Sequence, residues 1–109
     1  MLEVTFCRDS RDRLSSVFAS GHAEAAEHGE DVVCAAVSAI LQAARLGLEA
    51  HAKVPVDATM SSGRMSLAWP EAARDDLALQ AIVATAELSI RQIATQYPDH
   101  VRAQSRLES

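Results

Sequence analysis

A chain of 109 residues, 49% hydrophobic but only 4% aromatic, is long enough for one core and too short for two. Ten Lys and Arg against fifteen Asp and Glu leave a formal charge of -5. That argues against a nucleic-acid surface, because phosphate contacts need clustered cations and the only cluster is Arg8, Arg11 and Arg13.

In chain order, Leu2, Val4 and Phe6 alternate with Glu3, Thr5 and Cys7, the period-2 pattern of a half-buried strand. Cys7 then points away from Phe6 and reads as structural. Asp9 to Asp12 is a turn whose alternating charges are expected to be solvated. Leu14 to Ser20 returns as the second arm of a hairpin that runs into Gly21-His22. Asp31 is a good N-cap, and the Pro-free stretch after it predicts a helix from about Asp31 to Glu49, with Val33, Val37, Ile40, Ala44 and Leu48 on its core stripe. Lys53 to Ala58 predicts an irregular edge strand marked by Pro55, Ser61-Ser62-Gly63 a turn, and Arg64 to Trp69 the returning strand. Trp69 reads as a cap on the core. Pro70-Glu71 opens a helix to about Gln96, with Leu79, Val83, Ala86, Ile90 and Ile93 buried, and Tyr97-Pro98 stops it. Residues from about 100 to 109 read as a loose polar tail with at most a short strand at Val101. The expected architecture is a single α+β domain over 1–109, hairpin-helix-hairpin-helix, in which two helices pack on an antiparallel sheet of about four strands.

The segment Gly21-His22-Ala23 followed by Gly29-Glu30-Asp31-Val32-Val33-Cys34-Ala35-Ala36-Val37-Ser38 carries the chemistry. With Asp31 as cap, Cys34 sits in the first turn, where unpaired backbone N–H groups and the helix dipole favour thiolate over thiol. An imidazole within reach can shuttle the proton, as cysteine nucleophiles require. Gly21 and Gly29 bracket the loop that carries His22, so that loop can fold back or open, and both are candidates for contact with a substrate. Ser38 lies one turn after Cys34, where its hydroxyl can hold the thiol or a water, or bond back to the Cys34 carbonyl. Two plainer readings stand beside these: a buried cysteine is ordinarily a small hydrophobe, and a loop histidine needs no chemical role.

The run GHAEAAEHGEDVVCAAVSAILQAARLGLE, together with the opening strand ending in Arg8-Asp9-Ser10 and with Gln96-Tyr97-Pro98-Asp99, resembles the signature of the ribosomal-processing cysteine proteases over nearly the whole chain. The resemblance implies a Cys/His endopeptidase that trims the N-terminal extension from the precursor of a large-subunit ribosomal protein. It matches Cys34 to the nucleophile and His22 to the base, places Asp31 and Ser38 at supporting positions of the block, and implies a homodimer. Glu24-Ala25-Ala26 departs from the aromatic residue or glycine common after the GHA segment. His28, six residues from Cys34, is a rival base, and only the motif favours His22.

No basic start leads into an apolar stretch, and no run approaches the roughly 20 apolar residues of a membrane span, so a cytoplasmic protein without a membrane partner is expected. Cys7 and Cys34 are then reduced thiols. His22, His28, Cys34 and His51 lack the paired short spacings of a zinc site, so neither a metal nor another cofactor is expected. Two alternatives remain from other classes: a non-catalytic ribosome-associated binding module, and a thiol redox sensor using Cys34.

Overall fold

The computed structural model describes the backbone of residues 1–21 and 28–108 and the side chains of residues 1–21 and 32–108. Strand β1 (Leu2–Arg8) and strand β2 (Leu14–Ser20) form the expected hairpin, in register from Glu3 with Ser20 to Cys7 with Ser16. Helix α1 (His28–Leu46) continues into a π-helical turn, Gly47–His51, that buries Leu48 completely. Strands β3 (Asp57–Ser61) and β4 (Arg64–Ala68) make the second hairpin, helix α2 spans Leu77–Gln96, and strand β5 spans Val101–Leu107.

The α+β class and the two helices agree with the sequence pattern, while the sheet has five strands in the order β3-β4-β2-β1-β5. The fifth strand is the segment expected to be loose. It pairs in parallel with β1 along its whole length, from Leu2 with Val101 to Arg8 with Leu107, which makes the sheet mixed rather than antiparallel. Its polarity hid it: only Val101 is buried, as befits an edge strand with one neighbour.

Both helices cover the face bearing Leu2, Val4, Phe6, Val17, Met65 and Leu67. Phe6, Leu41, Leu48, Leu67, Leu79 and Ile90 are the largest fully buried side chains, and each stabilises the fold by about 1.5–3 kcal/mol over its exposed state. The stripes read from periodicity hold for Val33, Val37, Ala44 and Leu48 on α1 and for Leu79, Val83, Ala86 and Ile90 on α2; Ile40 and Ile93 lie at the margin of the core. Two stretches, Val32–His51 and Leu77–Gln96, are long and apolar enough to cross a membrane, against the sequence expectation, but the core helix of a soluble domain meets the same test.

Helix α2 starts later than Pro70-Glu71. A 3₁₀ turn at Glu71–Ala73 intervenes, and Asp76 caps the helix, its carboxylate accepting from Leu79 N–H at 3.0 Å. Trp69 is a core cap as expected, 3% exposed, with Nε1 donating to the Leu14 carbonyl at 2.9 Å.

The charged turn after β1 is organised rather than solvated. Asp9 Oδ1 accepts from the backbone N–H of Arg11 and Arg13, at 2.9 and 3.0 Å, and Oδ2 accepts from the guanidinium groups of Arg13 and Arg74, both at 3.0 Å. Arg13 also reaches Glu71 and Asp75, each at 3.1 Å, tying the turn to the approach of α2. Burial by itself would raise the Asp9 carboxyl; the bonds from Arg13 N–H, the Arg74 guanidinium and Arg11 N–H, with the charge of Arg13, outweigh it and hold it down at about 2.

Candidate active site

Helix α1 begins at His28, three residues before the expected cap, so Asp31 is the fourth helical residue and not the N-cap. Gly29 likewise lies within the helix instead of closing a loop. A glycine costs a helix only about 1 kcal/mol relative to alanine, which does not stop a run flanked by good helix formers. Cys34 is therefore the seventh helical residue, in the second turn. The dipole effect falls off within the first turn, so the electrostatic argument from the helix start loses its force at this thiol.

What Cys34 does occupy is a cleft of about 230 Å³ at one end of the sheet. One wall is α1, contributing Cys34, Val37, Ser38 and Leu41; the facing wall is Leu2 of β1, Ala19 at the end of β2, and Gly21; the third is the β3–β4 hairpin, contributing Met60, Ser61, Gly63, Arg64 and Met65. Cys34 is half-buried, accessible from the cleft yet anchored on the helix flank next to the core. Ser38 is exposed one turn on, in the same cleft. Among the described residues lining it, Arg64 is the only charged one.

Gly21 is at φ +104°, and a Cβ added there would collide with the Met1 carbonyl, so position 21 admits glycine alone. Its N–H donates to the Gly63 carbonyl at 2.9 Å. The structure thus brings Cys34, Ser38 and Gly21 to one cavity. His22, the expected base, lies outside the described residues, as do the rest of its loop and the side chains of His28 and Asp31.

The hairpin wall was missed in the sequence. Met60, Gly63, Arg64 and Met65 are far from the motif in the chain and carry no catalytic signal; only the alternation that predicted a hairpin hinted that they would meet anything. Cys7 behaves as read. It is 6% exposed on the sheet face opposite the helices, and burial, the largest influence, pushes its thiol up. Among the described residues, no group of three His, Cys, Asp or Glu side chains is placed to hold a metal ion.

A family model described as "Cysteine protease Prp" matches residues 1–102. SMU.848 of Streptococcus mutans has a crystal structure similar to this chain, with 30% identity, TM-score 0.90, and coverage of 99% of this chain and 96% of that one. The essential ribosomal processing protease Prp of Staphylococcus aureus, solved with a covalently linked product peptide and with a substrate peptide, superposes with a TM-score of 0.86 at 22% identity, over 97% of this chain and all of that one. A hypothetical protein from Staphylococcus aureus shares the fold with a TM-score of 0.75 at 17% identity. No curated protein matches the chain.

Proposed function

Since the chain belongs to the Prp family of cysteine proteases over residues 1–102, we propose that Cys34 is its nucleophile, His22 its general base, and its substrate the precursor of a large-subunit ribosomal protein. The observation that carries this reading is the cleft: Cys34 lines one wall, and the opposite wall ends in Gly21, the residue from which the chain enters His22.

In this mechanism the imidazole takes the thiol proton as Sγ bonds to the scissile carbonyl carbon, giving a tetrahedral oxyanion. Its collapse breaks the peptide bond, the imidazolium returns the proton to the leaving amine, and water later releases the N-terminal extension from the thioester. The N–H of Cys34 falls within the hydrogen-bonded ladder of α1, beyond the four unpaired N–H groups of the first turn. The Cys34 N–H is therefore not available as an oxyanion donor.

The substrate assignment is supported by the ribosomal processing role printed for the Staphylococcus aureus protein. Mixing the purified protein with such a precursor and reading the products by mass spectrometry tests it: one cut that frees the N-terminal extension is expected, and an intact precursor would overturn the assignment. The same reading has the chain act as a cytoplasmic homodimer, checked by analytical ultracentrifugation and by fractionation of cells.

The redox alternative has less to stand on. Cys7 is buried on the sheet face opposite the helices, while Cys34 opens on the cleft beneath them, so the sheet separates the thiol from any resolving partner within the chain.

A further inference from the structure

The two edges of the sheet are built differently. At one edge β5 carries Arg102 and Arg106, charged side chains of the kind that discourage pairing with another chain. At the other, β3 from Ala58 to Ser61 reads Ala-Thr-Met-Ser, with neither charge nor proline, and among the described residues β4 is its only neighbour. The register shows which backbone groups of β3 are used. Ser62-Gly63 is a two-residue turn closed by the pair Ser61–Arg64, which exchanges its N–H···O bonds across the hairpin. Pairs alternate from there: Thr59–Ser66 and Asp57–Ala68 are bonded, Met60–Met65 and Ala58–Leu67 are not. The Gly21 N–H bond to the Gly63 carbonyl fits the same phase, because it flanks the unbonded pair Ser20–Arg64 and leaves the groups of Arg64 turned toward Ser61. The N–H and C=O of Ala58 and Met60 therefore point out from the edge, four ladder groups that no strand among the described residues meets. This edge also borders the chemistry: Met60 and Ser61 line the cleft that holds Cys34, and Met60 is half exposed.

We propose that the β3 edge is the substrate-docking strand: an extended segment of the peptide pairs with the N–H and C=O groups of Ala58 and Met60 as a sixth strand and runs from there into the cleft beside Cys34. The inference deepens the peptidase reading and rests on it, through Cys34 alone. A strand added to a sheet edge takes its affinity from main-chain bonds and presents its side chains alternately to the two faces. Continuity between the edge and the cleft selects this occupant: Met60 belongs to both, so a peptide laid along β3 meets the cavity of the thiol without leaving the strand. A second copy of the chain paired at the same groups would compete with the peptide for them.

The test follows amide hydrogen exchange by NMR in Cys34→Ala, which keeps the peptide whole, with a synthetic peptide spanning the cut located in the precursor. In the free protein Thr59 N–H and Ser61 N–H should be protected by β4 while Ala58 and Met60 exchange fast; saturating peptide should slow Ala58 and Met60 by at least about tenfold and leave the other two unchanged. In the wild-type background, Ala58→Pro removes one outward donor and keeps the bonds to β4, since an edge strand tolerates proline where its nitrogen faces out. Its KM for the peptide is expected to rise about 3- to 10-fold, the worth of about one hydrogen bond, with kcat within about twofold. Should the proline variant fold poorly, the exchange pattern decides alone. Bound peptide without slowing at Ala58 and Met60 would overturn the proposal. So would slowing in the free protein that grows with protein concentration, which gives the edge to a second copy. A precursor left uncut by the wild-type protein is a different failure: it removes the substrate reading before exchange is measured, and the docking strand falls with it.

Discussion

At the scale of single residues, the proposed chemistry reduces to one thiol and one imidazole. Cys34→Ala should abolish precursor cleavage with the fold intact, because alanine is the best helix former and only the nucleophile is removed; Cys7→Ala, on the far face of the sheet, should keep activity. Circular dichroism and product analysis of the two variants decide this, and near-normal cleavage by Cys34→Ala would end the peptidase assignment to this thiol. For the base, His22→Ala should lose about 100- to 10,000-fold in turnover and His28→Ala little; the reverse result would move the role to His28. Asp9 yields a prediction in pH. Its carboxyl is held at about 2 against an ordinary 3.8, so its contribution is fully present above about pH 4 and fades as pH falls toward 2. Melting curves of Asp9→Asn should be flatter than wild type across that window, and an unchanged acid slope would count against the turn network. Asp31 and Asp9 were both visible in the sequence, but the meaning of each changed. Asp31 has the chemistry of a cap, yet the helix began earlier because the glycine before it was tolerated; Asp9 looked like a solvated turn charge because its partner Arg74 is 65 residues away.

Among the elements, those carried by strong periodicity were legible, and those made by tertiary contact were not. Leu2, Val4 and Phe6 announced β1 because a two-residue period survives any context. Strand β5 gives almost no such signal, since Val-Arg-Ala-Gln-Ser-Arg-Leu buries one residue deeply and its order comes from pairing with β1. The start of α2 slipped for a related reason: Pro70-Glu71 is a sound helix opening, but the chain there makes only a 3₁₀ turn, Glu71–Ala73, whose Glu71 meets Arg13 of the β1–β2 turn, and the helix is capped further on by Asp76. The true cap is testable. Asp76→Ala should cost about 0.5–2 kcal/mol, read as a lower midpoint in urea with an unchanged slope; no shift in the midpoint would mean that the cap contributes nothing to α2.

Across the whole molecule, the two ends of the sheet carry different burdens. At one end Asp9, Arg13, Glu71, Arg74 and Asp75 form a charged clasp beside Trp69, whose indole holds the start of β2. At the other, β2 ends at Ser20 and Gly21 carries the chain onto the cleft with Cys34, where Arg64 is the one charged side chain among the described lining residues. Strands β2 and β4 run the length between them, so the charged cluster around Asp9 and Trp69 lies at the end remote from the cleft. The division predicts that stability and activity separate. Trp69→Phe removes the indole N–H and leaves the buried Leu14 carbonyl short of a donor, at a cost of about 1–3 kcal/mol, or about 4–8 °C in Tm for each kcal/mol. Because the change lies at the far end from Cys34 and Gly21, kcat/KM measured well below Tm should match wild type. Thermal denaturation and steady-state kinetics on the same preparation settle the matter: a fall in kcat/KM parallel to the fall in Tm would show that the cleft depends on the remote end, and the separation of the two ends would be wrong.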